Sequence, residues 1–176
     1  VVNLAGNQQV DFNGGFNKPQ PGDIVISEFR NRGPASSNDE FIELYNNTDT
    51  DFTVSTDDES QGWTVVLSGG YQVIIIPNGT ILKARQHFAG TQFYVFYSGV
   101  PSVVNNYMGP RDTDWGYFDG FELPDDRGLS IFKTNNPANF TNSYRLDAVG
   151  FSTMANSLFK EGVGLPPMGT AQPEYS

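Results

Sequence analysis

Asn38-Asp-Glu-Phe-Ile-Glu-Leu-Tyr-Asn46 is the stretch on which the fold turns. Within Phe41-Ile-Glu-Leu-Tyr45 the strand period of two sends Ile42 and Leu44 to one face and Phe41, Glu43 and Tyr45 to the other. The first pair is expected in the core. Just upstream, Asp23-Ile-Val-Ile-Ser-Glu-Phe-Arg30 is a second strand-like run. The residues between them, Asn31-Arg-Gly-Pro-Ala-Ser-Ser-Asn38, are turn chemistry, because Gly, Pro, Asn and Ser each favour bent backbone. The two runs therefore read as a hairpin or a sheet-to-sheet corner.

Downstream, a polar stretch from Asn46 to Gln61 leads into Trp63-Thr-Val-Val-Leu67, then Gly69-Gly70, then Tyr71-Gln-Val-Ile-Ile-Ile76, closed by Pro77-Asn78-Gly79. Two β-branched runs about a Gly-Gly pair predict a second hairpin. Gln92-Phe-Tyr-Val-Phe-Tyr97, Gly128-Leu-Ser-Ile-Phe-Lys133 and Tyr144-Arg-Leu-Asp-Ala-Val-Gly150 continue the series of short strands. With only Met154 to Glu161 briefly helical in character, this spacing predicts an all-β antiparallel sandwich or barrel. Residues 1–22, rich in Asn, Gln, Gly and Pro, predict an extended N-terminal arm more than a strand pair, with the domain proper over 23–176. Ser98 to Pro124 is one long loop insertion without strand signals, and excursions of that length commonly carry function.

The 176 residues fit one domain, and a chain of this size buries roughly 70% of its unfolded surface. A composition that is 38% hydrophobic and 14% aromatic supplies a core without staples. There is no Cys, which excludes a disulfide framework and a thiolate zinc site. Ten basic against twenty acidic residues give a formal net charge of -10, and Lys and Arg are scattered from Lys18 to Lys160 with no cluster able to track a phosphate backbone. Nucleic acid is not an expected partner. No apolar run approaches the roughly 20 residues that span a bilayer, so membrane insertion is not expected. Starting at Val1 without Met, the chain reads as a fragment with any leader removed. Pro173-Glu-Tyr-Ser176 stops on strand-like residues, so the domain is expected to continue past it. Three Asn-x-Thr sequons stand at Asn46, Asn78 and Asn139.

Taken in order, Ile26-Ser-Glu28, Asn38 to Asn46, Gly62-Trp63, Ile81-Leu-Lys-Ala-Arg85, Gly128-Leu-Ser-Ile131 and Leu146-Asp-Ala-Val-Gly150 resemble a bacterial lamin-tail domain, from about Asp23 to Phe151. The resemblance implies an immunoglobulin-like β-sandwich carried as an accessory module in secreted or surface proteins, sometimes beside nucleases, phosphatases or adhesion repeats. It carries over no catalytic residue. The expectation is a non-catalytic extracellular binding or spacer module of a larger secreted or surface protein, its partners a protein or glycan ligand and the other domains of the parent chain. Trp63 after Gly62 is expected to be a core aromatic. The insertion Asp57-Asp-Glu-Ser-Gln61 and the excursion Ser98 to Pro124 depart from the family's compact form.

Candidate chemistry is sparse. Glu28 and Glu43 are the one carboxylate pair that a glycosidase could use, which needs its two acids about 5 to 10 Å apart. The structural alternative is that each accepts hydrogen bonds within the sheet. His87, the single His, stands in Lys83-Ala-Arg-Gln-His87, which reads as an exposed edge, and no Gly-x-Ser-x-Gly elbow accompanies it. The richest constellation is Asp112, Asp114, Asp119 and Glu122, oxygen ligands of the kind Ca²⁺ takes, although Gly116 interrupts the EF-hand spacing. Calcium is the only cofactor this pattern suggests. Among those acids lie Tyr107, Trp115, Tyr117 and Phe118, flat faces suited to a sugar ring or cation. A calcium- or carbohydrate-dependent adhesion module is therefore the sharper alternative, and a carboxylate-based hydrolase the remaining one.

Overall fold

The computed structural model describes residues 2–4, 8–10, 18–31, 40–85, 93–98, 113–114, 123–124, 126–153 and 156–166. In chain order the strands are β1 Val2–Leu4, β2 Gln8–Val10, β3 Ile24–Arg30, β4 Glu40–Asn46, β5 Phe52–Thr53, β6 Gly62–Leu67, β7 Tyr71–Pro77, β8 Ile81–Leu82, β9 Phe93–Ser98, β10 Thr113–Asp114, β11 Leu129–Phe132 and β12 Arg145–Val149. Helical structure among these residues is confined to two short 3-10 turns, Pro137–Asn139 and Ser157–Phe159.

Two four-stranded sheets make the sandwich, ordered β10-β9-β4-β3 and β12-β11-β6-β7. Of the hairpin or corner expected for β3 and β4 the structure has the antiparallel pair, and the expected β6–β7 hairpin is present. β3 and β4 pair antiparallel with a bulge between Ile26 and Glu28. β6 and β7 pair across a turn in which Gly69 and Gly70 take φ of 103° and 87°, a region that an L side chain rarely adopts. Among the described strands, every strand pair is antiparallel except β9 with β10.

The sheets close on Ile24, Ile42 and Leu44 from one side and Trp63, Val65, Leu67, Ile76, Leu129, Ile131 and Leu146 from the other. Each such side chain contributes about 1.5–3 kcal/mol through removal of apolar surface from water. Ile42, Leu44 and Trp63 are thus in the core, as their pattern predicts. The Trp63 indole N–H donates to the Ser55 carbonyl at 2.8 Å, satisfying its polar edge.

Burial does not alternate cleanly, and the reason is a second layer. All six residues of β6 and all four of β11 are buried. On the outer face of that sheet, Val66, Phe132 and Phe159 form a separate cluster with Phe140, Tyr144 and Leu158 packed against it. The Phe132 ring stacks on Phe140 at 4.9 Å and meets Phe159 edge-on at 6.3 Å. The segments 137–144 and 157–159 therefore cover a face that would otherwise meet water. Phe41, expected on the outer face of β4, is also buried, with the Arg30 guanidinium 5.0 Å over its ring.

Some short strands escape the sequence pattern. Within the segment read as an arm, β1 and β2 pair with Asn3 opposite Gln9; strands of three residues are too short for alternation to show. The polar stretch 46–61 contains β5, whose Phe52 lies opposite Leu82. The excursion 98–124 contains β10, whose Thr113-Asp114 carries no apolar signal at all. The end of the N-terminal segment is stitched to the sandwich: the Gly22 N–H donates to the Leu146 carbonyl at 3.0 Å and Lys133 Nζ to the Pro19 carbonyl at 3.2 Å.

Candidate functional site

The carboxylates are the only dense source of chemistry in this chain, so their surroundings decide what it can do. Glu28 and Glu43 stand directly opposite each other on β3 and β4. Glu28 is exposed and Glu43 half-buried. Glu43 accepts the Ser27 hydroxyl at 2.7 Å, which the bulge at Ser27 brings across the ladder. Burial pushes the Glu43 carboxyl above its ordinary value, the Ser27 hydrogen bond opposes this, and Glu28 reinforces it. The pair is thus a cross-strand like-charge contact, eased by a hydroxyl, on an open sheet face.

Asp58, in the insertion 57–61, is the centre of a denser network. Its carboxylate accepts the Ser60 backbone N–H at 3.2 Å, the Thr134 hydroxyl at 2.5 Å and the Asn139 amide at 2.6 Å. The Ser60 and Thr134 hydroxyls are themselves 3.1 Å apart. Burial alone would raise this carboxyl, but the hydrogen bonds from Ser60, Thr134 and Asn139 outweigh it and hold the group well below the usual carboxylate range. The insertion is therefore pinned to the turn after β11.

A third carboxylate crosses between the sheets. Asp147 on β12 accepts the Ile26 backbone N–H of β3 at 2.7 Å. Burial raises its pKa, partly opposed by the backbone donors Ile26 and Ala148 and by Arg145. Asp51 does similar duty for the segment after β8, accepting the Ala84 N–H at 2.7 Å and pairing with Lys83 at 2.9 Å. These four groups act as fasteners. Asp in a strand runs against propensity, and that conflict in Leu146-Asp-Ala-Val149 is the signal by which Asp147 could have been found.

Among the described residues no three His, Asp or Glu side chains are grouped as a metal ion requires. Of the expected calcium set, Asp112, Asp119 and Glu122 lie outside the described residues, and for Asp114 only its place in β10, opposite Tyr97, is described. Tyr107, Trp115, Tyr117, Phe118 and His87 also lie outside them. Ser68, Asp126, Arg127 and Thr153 line an open depression of about 350 Å³. It offers an anion little: the Arg127 guanidinium already donates to the Ser68 carbonyl at 2.7 Å and has Asp126 at 3.8 Å, while the Ser68 hydroxyl is closed off from solvent.

The sequons sort by burial. Asn46 is 1% exposed, and its amide donates to the carbonyls of Thr50 and Leu82 at 2.8 and 3.1 Å. Its Oδ1 accepts the N–H and hydroxyl of Thr48, the sequon's own Thr. That sequon is a fold device closing β4. Asn78 is exposed in the turn after β7, and Asn139 is half-buried against Asp58.

A profile of the family described as the Lamin Tail Domain matches residues 17–115, more than half of the chain. No curated protein sequence matches it. The matched segment runs from the stitched end of the N-terminal arm through β10, and β11 and β12, which complete the second sheet, lie beyond it. The chain belongs to the lamin tail domain family and has its immunoglobulin-like all-β sandwich.

Proposed function

We propose that this lamin tail domain is a non-catalytic extracellular module of a larger secreted or surface protein, binding a protein or glycan or holding neighbouring domains apart. The family is one of non-catalytic immunoglobulin-like modules. One observation supports that reading above the rest: the best-placed carboxylates, Asp58, Asp147 and Glu43, are engaged in hydrogen bonds that hold turns and strand edges. A general acid or nucleophile must present its carboxyl to substrate, whereas each of these carboxylates is committed to a hydrogen bond that holds the fold. The test is turnover of glycoside, peptide and phosphodiester panels by the purified domain. Activity that disappears in Glu28→Gln or Glu43→Gln at unchanged melting temperature would overturn the proposal. Protease shaving of intact cells of the source organism tests the extracellular location.

The calcium- or carbohydrate-dependent reading rests on the composition of 107–122, where Tyr107, Trp115, Tyr117 and Phe118 lie among Asp112, Asp114, Asp119 and Glu122. Calorimetric titration with Ca²⁺ and a glycan array probe it directly. A Trp115→Ala variant destabilised by about 3–5 kcal/mol with no ligand found would assign these aromatics to packing instead.

A further inference from the structure

Basic residues are few in this chain, ten against twenty acids, and those described are largely matched to single carboxylates: Lys18 to Asp57, Lys83 to Asp51, Arg85 to Asp49, Arg127 to Asp126 and Arg145 to Glu161. Asp58 and Asp147 are held by hydrogen-bond donors instead. The Glu28 and Glu43 pair has no such match. The two stand opposite each other on β3 and β4, and among the described residues neither forms an ion pair. The Ser27 hydroxyl donates to Oε1 of Glu43 at 2.7 Å, and no donor among the described residues reaches the other Glu43 oxygen or either oxygen of Glu28. Like charges directly opposite on a ladder destabilise it, so this arrangement carries a cost that the fold does not itself relieve.

The surroundings of the pair are open and uncharged. The bulge sets two exposed residues of β3, Ser27 and Glu28, against the one residue Glu43 of β4. Two positions along from Glu43, and so on the same side of the strand at about 7 Å, is Tyr45, half-buried and opposite the half-buried Val25. On the other flank of β4, Glu43 and Tyr45 stand opposite Val95 and Phe93 of β9, neither of which carries charge. Arg30, the one basic residue of β3, has its guanidinium over the Phe41 ring.

We propose that this face, Glu28 and Glu43 with Tyr45 beside them, is the docking site for a basic segment of a partner protein, one of whose arginines lies between the two carboxylates. The inference rests on the reading of the domain as a binding module and names the chemistry of its partner. Charge complementarity selects the occupant. A guanidinium carries five N–H donors in a planar fork, so it can serve both carboxylates at once and remove their repulsion, and its flat face can lie on an aromatic ring such as that of Tyr45. A neutral sugar would leave the two charges facing each other. A second copy of this chain is repelled by the net charge of -10, and the same charge draws a basic segment in.

The experiment is a fluorescence anisotropy titration with a dye-labelled octapeptide of alternating Arg and Gly, run beside the same peptide with citrulline in place of Arg. The chain is expected to bind the first saturably and the second not, with backbone amide shifts at Ser27, Glu28, Glu43 and Tyr45 in its NMR spectrum. Glu28→Gln and Glu43→Gln should each weaken binding at least about tenfold. Both should keep a melting temperature at or above the parent's, because each removes one of two repelling charges. Glu59→Gln removes the same unit of charge from an exposed position in the insertion 57–61 and should weaken binding less than about twofold. No saturable binding, equal binding of the citrulline peptide, or equal losses in all three variants would overturn the proposal, the last by reducing the attraction to net charge. Binding of a glycan or another protein that survives both Glu28→Gln and Glu43→Gln would overturn it as well, while leaving the reading of the domain as a binding module in place.

Discussion

The Asp147 carboxylate accepts the Ile26 backbone N–H at 2.7 Å, so a side chain of one sheet takes the place that a strand partner would hold on the edge of the other. The contact fixes how the two sheets meet along β3 and β12, and it occupies a donor on an outer strand. Replacing Asp147 with Ala leaves that N–H without its acceptor and is expected to cost about 1–3 kcal/mol. Chemical denaturation of the variant measures it, and an unchanged midpoint would show the bond to be incidental.

The same carboxyl sets a pH dependence. Its folded pKa lies above the ordinary 3.8, chiefly through burial, so the native state keeps its proton over a range where the unfolded chain has lost it. The stability it contributes is complete below 3.8 and declines as pH rises through the folded value. Asp147→Asn retains an acceptor oxygen but cannot ionise. Relative to the parent, this variant should gain stability as pH rises above 3.8; parallel curves would contradict the assignment.

Asp58 has the opposite sign. Three side chains and a backbone N–H favour its charged form, so its folded pKa is depressed and its contribution is present above 3.8 and lost as pH falls through the folded value. Asp58→Asn should be less stable by about 2 kcal/mol near neutrality, since water screens part of a half-buried charge. The difference should shrink in acid. A gap that stays constant from neutral to acid pH would mean that the charge is irrelevant to the network.

Sequence patterning reveals the parts of this fold that depend on local chemistry. β3, β4, β6, β7, β9, β11 and β12 are legible because β-branched and aromatic residues recur along four or more residues beside stretches rich in Gly, Pro, Asn or Ser. β5 and β10 are not, since two residues hold no period, and Phe52 reads as an isolated aromatic until Leu82 is placed opposite it. The burial of Phe41 depends on Arg30, which comes from a different strand, and the outer cluster around Phe132 depends on segments 137–144 and 157–159 folding back. The candidate site was less legible still. Asp58, Asp147 and Asn46 acquire their roles from partners at separations of up to 121 residues, whereas the acids and aromatics of 107–122 announce themselves by composition alone.

Gly62 illustrates a constraint that the sequence states and the structure explains. A Cβ at this position would sit 2.0 Å from the Ile76 carbonyl oxygen, backbone that cannot move without opening the β6–β7 ladder. Gly62→Ala should therefore cost about 3 kcal/mol. Thermal denaturation followed by Trp fluorescence reports both the loss and any displacement of Trp63. A variant as stable as the parent would show that the strand pair yields more easily than its packing implies.

The sequons allow a test of the fold through covalent chemistry. N-glycosylation replaces one amide proton of Asn with a sugar carbon. At Asn46 both donations, to Thr50 and to Leu82, hold the end of β4 against β8, and the residue is 1% exposed. A glycan there would break a bond and require volume that the core does not have. Asn78 sits in an exposed turn, its amide donating to the Ser60 carbonyl at 2.8 Å at the surface, where the exchange for a glycan leaves the core untouched. Secreted from a eukaryotic host and mapped by peptide mass spectrometry, the folded protein should carry sugar at Asn78 and none at Asn46. Asn78→Gln should remove that modification at little cost, within about 0.5 kcal/mol, while Asn46→Gln should destabilise by about 2 kcal/mol or more as buried carbonyls lose their donors. A natively folded, protease-resistant species glycosylated at Asn46 would contradict the burial of that side chain and the closure of β4 that depends on it.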